Sequence, residues 1–135
     1  MVKIESDLLD TVNKPGRVGV LATSAQDRQP NAAYFGSPRL NPDGTLVMGL
    51  QENQTLANLE QNPLAVFFIV EKAPVEFSTP GFRLYLKARD IQRQGPVLDG
   101  VREAVAAKAG AEAAQRMKAG VVFEVTRVRP LVDMG

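Results

Sequence analysis

The chain contains no cysteine and no histidine. Without cysteine there is no disulfide, no thiolate nucleophile and no Cys-based zinc or iron–sulfur centre. Without histidine the commonest general base, the commonest metal ligand and the usual haem ligand are gone, and Ser–His–Asp hydrolysis has no base. Any redox chemistry must therefore come from a bound organic cofactor. Net charge is small too: sixteen Lys and Arg against fifteen Asp and Glu leave a formal net charge of +1. That balance builds no concentrated positive field, so no nucleic-acid partner is predicted. The longest apolar run, Leu64 to Val70, is far too short to cross a bilayer, and no membrane partner is predicted. Met1 to Glu5 lacks the features of a secretory signal, which makes a cytoplasmic location the expectation.

What is present suits a single domain over residues 1–135, with 44% hydrophobic and 23% charged residues. Ile4, Leu8, Leu9 and Val12 recur at helical spacing, so residues 3–13 read as a short helix stopped by Pro15-Gly16. Arg17 to Ser24 alternates as a strand, with Val18, Val20 and Ala22 on one face. Asn31 to Leu40 reads as one extended segment disturbed by Gly36 and Pro38. Asn41-Pro42-Asp43-Gly44 is a turn, and Thr45 to Leu50 returns as a third strand. A helix of one to two turns falls within Gln51 to Asn62, ended by Pro63. Leu64 to Val70 is apolar throughout and predicts a strand buried on both faces. Phe82 to Arg93 alternates Leu84, Leu86 and Ala88 with Arg83, Tyr85, Lys87 and Arg89. A long helix is expected over Val97 to Lys118, with Gly110 as a bend or break, before a last strand over Gly120 to Arg127. The turns are too short for parallel crossovers, so the prediction is mostly β: a six-stranded, mainly antiparallel barrel with flanking helices.

Three stretches offer chemistry. Met48-Gly49-Leu50 leads into Asn53-Gln54-Thr55 at the start of a helix, where free N–H groups and the dipole favour a phosphate. The ordinary alternative is that Asn53 or Thr55 is an N-cap. Tyr34-Phe35-Gly36-Ser37 sets two aromatics beside a Gly and a Ser, against which a flat ring could lie. Alternation of the two rings between core and interface explains the same pattern. Arg83, Lys87 and Arg89 form a basic row on one strand face, which is either solvated or placed beside an anion.

The run from Gly44-Thr45-Leu46-Val47-Met48 through Asn58-Leu59-Glu60-Gln61-Asn62-Pro63 to Leu64-Ala65-Val66-Phe67-Phe68 resembles the strand–helix–strand signature of pyridoxamine 5′-phosphate oxidase-like flavoproteins. Val20-Leu21-Ala22-Thr23, Arg83 to Ala88 and Val121 to Val125 resemble the family's opening hairpin, fifth strand and last strand. The resemblance implies an FMN-binding split barrel that pairs as a homodimer with FMN at the subunit interface. It carries ring contacts onto Tyr34, Phe35, Gly36 and Ser37 and onto Met48, Gly49 and Leu50. Phosphate contacts fall on Asn53, Gln54 and Thr55, and a flavin-contacting polar position on Arg83. Both basic residues usual to the phosphate stretch are missing here, which implies either weaker FMN binding or substitution by another cation such as Arg83 or Lys14. The function so implied is a flavin-dependent oxidoreductase. The alternatives are a non-catalytic flavin carrier or electron-transfer module, or a barrel that has lost FMN and acts as a binding protein.

Overall fold

The computed structural model describes residues 2–132. In chain order the elements are α1 (Ser6–Val12), β1 (Val18–Ser24), β2 (Pro30–Tyr34), β3 (Arg39–Leu40), β4 (Thr45–Leu50), α2 (Gln54–Gln61), β5 (Leu64–Val70), β6 (Gly81–Gln92), α3 (Pro96–Ala109), α4 (Ala111–Gln115) and β7 (Ala119–Pro130). The strands form one seven-stranded sheet in the order β2-β1-β5-β6-β7-β4-β3, and every pairing is antiparallel. Laid flat, six spacings of ~4.8 Å would separate the outer strands β2 and β3 by about 29 Å. Only residues 35–38 join those strands, and the five steps from Tyr34 to Arg39 reach roughly 17 Å. The sheet therefore curls into a barrel whose first and last strands approach without pairing. That is a split barrel.

The strand count is seven rather than six because the expected segment Asn31 to Leu40 divides. Its ladder with β1 runs to Tyr34↔Val20, and Phe35 N–H still donates to Gly19 O at 2.9 Å. Beyond that the Phe35 and Pro38 carbonyls accept from the Arg17 guanidinium, and the chain leaves the sheet. The turn after β3 forms as expected: Gly44 adopts φ +90°, and the Asp43 carboxylate accepts from the Thr45 N–H at 2.9 Å and hydroxyl at 2.6 Å.

Inside the barrel, Leu21, Leu46, Phe67, Leu84 and Phe123 are fully buried, and each buried side chain of this size stabilises by about 1.5–3 kcal/mol. On β1 the core face is Gly19, Leu21 and Thr23, while Val18, Val20 and Ala22 lie half-buried on the outside. Gly19 belongs inside for a steric reason: a Cβ there would come within 2.5 Å of Phe67 Cζ. The expectation that β5 is buried on both faces does not hold. Ala65, Phe67 and Ile69 fill the core, but Leu64 is 57% and Phe68 39% exposed on the opposite face.

Strand direction sorts the ends. β1, β4 and β6 finish where β5 and β7 begin, and α2 closes that end through contacts with β1 and β2. At the other end α1 packs on β3 and β5. The expected long helix breaks at Gly110, where φ is +91°, giving α3 and α4. Helix α3 lies on the outside of β4 and β7, over two glycines. A Cβ on Gly49 would sit 2.3 Å from Val101 Cγ1, and one on Gly120 2.8 Å from the Leu98 nitrogen.

Candidate functional site

In an antiparallel strand, N–H and C=O groups of successive residues point to alternate edges. Gly44 O accepts from Val125 N at 2.9 Å and Leu50 O from Lys118 N at 2.8 Å, so the even-numbered residues of β4 face β7. Thr45, Val47 and Gly49 then face the other edge, and Thr45 O duly accepts from Asn41 N at 2.8 Å. The short β3 pairs only with Leu46 and Val47. The N–H and C=O of Gly49 are thus left on an open edge. The same alternation in β2, fixed by the Phe35–Gly19 bond, sends the backbone groups of Ala32 and Tyr34 away from β1. Curling brings these two unpaired edges toward one another across the split. The side chains of Met48 and Leu50 are core residues, so what β4 offers a ligand is Gly49 main chain.

At the closed end of the split lies the segment joining β2 to β3. The Tyr34 ring is 63% exposed, Gly36 and Ser37 are exposed, and Phe35 is half-buried. Arg17, only 5% exposed, holds this segment from behind. Its Nε donates to Val12 O at 2.7 Å, Nη1 to Phe35 O at 3.1 Å and Nη2 to Pro38 O at 2.6 Å. The guanidinium stacks over Phe67 at 5.2 Å, and burial pulls its pKa below the ordinary arginine value. Sequence reasoning missed Arg17. Its position at the start of a strand, followed by the small Gly19, is the only local signal.

At the opposite end stands the start of α2. Asn53 is the N-cap, its Oδ1 accepting from Leu56 N at 3.0 Å. That leaves the N–H groups of Gln54 and Thr55 without intrahelical acceptors. Thr55 is 2% exposed, and its hydroxyl makes no hydrogen bond among the described residues. The Gln54 side chain donates to Asn58 Oδ1 at 2.8 Å, and Asn58 Nδ2 donates to the Thr23 hydroxyl at 3.1 Å. Asn62 bonds Ser24 Oγ at 3.2 Å and accepts from Leu64 N at 3.1 Å. The two asparagines of the Asn58–Pro63 signature therefore fasten α2 to β1 and to the start of β5.

A cation beside this helix start is Arg93, which the sequence reading places only at the end of a strand. Its guanidinium bonds Glu52 at 2.8 Å and Glu60 at 2.9 Å. The hydrogen bond from Arg93 holds the Glu52 carboxyl below its ordinary value, and the two carboxylates raise the pKa of Arg93. Lys14 is at the other end of the barrel, bonded to Glu71 at 2.5 Å. Neither substitute named from the sequence reaches the start of α2. Arg83 lies on β6, three strands from β2, with its Nε on Pro130 O at 2.8 Å. One chain thus gathers Tyr34–Ser37, Gly49 and Asn53–Thr55 around the split but leaves Arg83 apart.

Arg83 belongs to the outer sheet face, where cross-strand register aligns Tyr34, Val20, Phe68, Arg83 and Arg129. The next row along holds Val66, Tyr85 and Arg127, with Arg127 over the Tyr85 ring at 5.6 Å. This face is apolar on β5 and basic on β6 and β7. A hollow of about 640 Å³ lies elsewhere, between α1 and the β3–β4 turn, and of the residues named from the sequence for the cofactor it includes only Lys14. A second, of about 430 Å³, is lined by Gln51, Glu52, Glu112, Gln115, Arg116 and Lys118 beside the approach to α2. Among the described residues no cluster of carboxylates is placed to hold a metal ion, and no helix is long and apolar enough to cross a membrane.

The sequence model of the family described as pyridoxamine 5′-phosphate oxidase matches residues 8–131. Among solved structures, an FMN-binding protein from Syntrophomonas wolfei subsp. wolfei superposes with a TM-score of 0.81 at 18% identity, over 94% of this chain and 85% of that one. HupZ from Group A Streptococcus gives 0.78 at 24% identity, over 95% and 94% of the two chains. An F420 reductase gives 0.70 at 12% identity, over 93% and 98%. No curated protein matches the sequence.

Proposed function

The chain belongs to the pyridoxamine 5′-phosphate oxidase family, and from that premise we propose that it is an FMN-binding flavoprotein acting as an oxidoreductase, with its sites shared between two subunits of a homodimer. One observation carries the reading: two unpaired strand edges, at Ala32–Tyr34 and Gly49, face a split that has Tyr34–Ser37 at one end and the free N–H groups of Gln54 and Thr55 at the other. A planar ring with donor and acceptor atoms along one edge matches such backbone groups, and a phosphate matches the helix start. The Thr55 hydroxyl, which makes no hydrogen bond among the described residues, would give that phosphate a third donor. The residues present fit FMN.

The bound flavin would supply hydride and electron transfer at its ring. The chain's part is to hold and orient. Gly49 main chain and the 34–37 segment would take the ring's polar edge, and Gln54 and Thr55 the phosphate. The open face of β5 would be covered by the second copy, whose Arg83 row would then approach the site that Arg83 cannot reach within its own chain. A second reading is supported by Arg93. The cation beside the phosphate position is already claimed by two carboxylates, which favours weak retention of FMN and a role as carrier or binding protein.

Titration of FMN and riboflavin into the purified chain, followed by flavin fluorescence, tests the reading. Loss of one hydroxyl bond to a charged group costs about 1.5–3 kcal/mol, so Thr55→Ala should weaken FMN roughly ten- to a hundredfold and leave riboflavin unchanged. Gln54→Lys should tighten FMN, with a gain that fades as salt is added. Preference for F420 over FMN, or equal losses of FMN and riboflavin in Thr55→Ala, would count against this placement of the cofactor.

A further inference from the structure

We infer that Arg17 is a positioning residue that sets the shape of the ligand split. The inference rests on the flavin reading above and adds to it a residue outside every stretch so far assigned to the cofactor.

The two open edges are separate strands, and what fixes their spacing is the short segment that carries the chain from one to the other. Among the described residues one side chain bonds both ends of that segment, while Asn13 bonds Leu40 just beyond it at 2.8 Å. Arg17 donates to Phe35 O where the segment leaves β2 and to Pro38 O where it enters β3, at 3.1 and 2.6 Å. Its third bond, 2.7 Å to Val12 O, anchors the fork to the end of α1. With both carbonyls turned inward, the exposed backbone of Gly36 and Ser37 faces outward. The planar, rigid guanidinium can serve three carbonyls in fixed directions, which an ammonium cannot.

The site around Arg17 is built for that group. Phe67 is fully buried beneath the guanidinium, and Gly19 leaves the room: a Cβ there would lie 2.5 Å from Phe67 Cζ and 3.0 Å from Arg17 Nη1. A buried charge is costly to desolvate, and here it is bonded to three main-chain oxygens. An apolar side chain would fill the same space at lower desolvation cost but would leave the Phe35 and Pro38 carbonyls unheld. The arginine therefore serves the position of the segment.

The test compares Arg17→Met and Arg17→Lys with the wild-type chain. Affinity for FMN and for riboflavin is measured by fluorescence, folding by circular dichroism, and segment mobility by amide hydrogen exchange. Arg17 acts at the ring end of the split, so Arg17→Met should weaken both flavins by the same factor, roughly tenfold or more, corresponding to about 1.4 kcal/mol per factor of ten. Arg17→Lys should fall between Met and wild type. In both variants exchange should speed up at 35–37 while β5 and β6 stay protected, and the visible dichroism of the bound flavin should change. A merely structural arginine would lower the melting temperature and move neither the spectrum nor the affinity of the folded protein. Wild-type affinity in a folded variant overturns the inference. If Arg17→Met does not fold, the same result in Arg17→Lys overturns it. A wild-type chain that binds neither flavin overturns the flavin reading and this inference with it, whereas wild-type binding with unaffected variants overturns the inference alone.

Discussion

Truncating Phe68 should take the proposed dimer apart and the flavin with it. Phe68 is 39% exposed at the middle of β5, between Val20 on β1 and Arg83 on β6, in a row whose other end is the 63% exposed Tyr34. A phenylalanine side chain carries about 200 Å² of surface, so some 80 Å² remain for a partner to cover. At about 25 cal/mol per Å² this is worth ~2 kcal/mol in each subunit. A two-fold interface repeats every contact, so Phe68→Ala should cost the dimer about 4 kcal/mol, roughly a thousandfold in its dissociation constant. Sedimentation velocity over a concentration series reads the change. Phe68 is not among the core residues, so circular dichroism should show an intact barrel. With the cofactor shared between subunits as proposed, flavin affinity should fall in step with dimer content and recover at high protein concentration. A Phe68→Ala chain that is monomeric yet binds flavin as tightly as wild type would refute the shared site. One that dimerises as tightly as wild type would refute the role of this face.

Two further outcomes follow from the polar contacts. Asn58→Ala removes the partner of the buried Thr23 hydroxyl and of Gln54, and should lower unfolding free energy by about 1–3 kcal/mol in urea titrations while riboflavin affinity holds. An equal loss of riboflavin binding would show that Asn58 serves the ligand and not only the joint between α2 and β1. Glu52, whose carboxyl is depressed by Arg93, contributes stability that is fully present above its ordinary value of 4.5 and is lost as pH falls through the lower folded value. Glu52→Gln should therefore show a flatter decline of melting temperature below that pH than wild type, and identical slopes would mean the Arg93 contact is absent in solution.

The sequence signals that proved legible are those whose cause is local. Pro42-Asp43-Gly44 makes a turn because Asp43 binds Thr45 two residues on and Gly44 accepts positive φ. Gly110 breaks the helix for the same conformational reason. The family resemblance was readable because Asn58 lies on a short helix and Asn62 caps its end, although what they do there is fasten it. Non-local causes were hidden. The division of Asn31 to Leu40 is imposed by Arg17, eighteen and twenty-one residues before the carbonyls it holds. The apolar run of β5 signals that both faces need cover, but not that Leu64 and Phe68 on one of them stay exposed within the chain. The resemblance makes Gly49 a ring contact. Its missing side chain makes room for Val101 of α3, and only the alternation of backbone groups gives it an edge to offer. Arg93 escaped notice because its carboxylates stand forty-one and thirty-three residues away.

The central claim is that this split barrel holds FMN between two copies of itself. Native mass spectrometry of the chain equilibrated with excess FMN tests it directly. The expected species is a dimer carrying two FMN molecules, with flavin-free monomer appearing on dilution. A monomer with one FMN bound, or a dimer that never takes up flavin, would contradict the account.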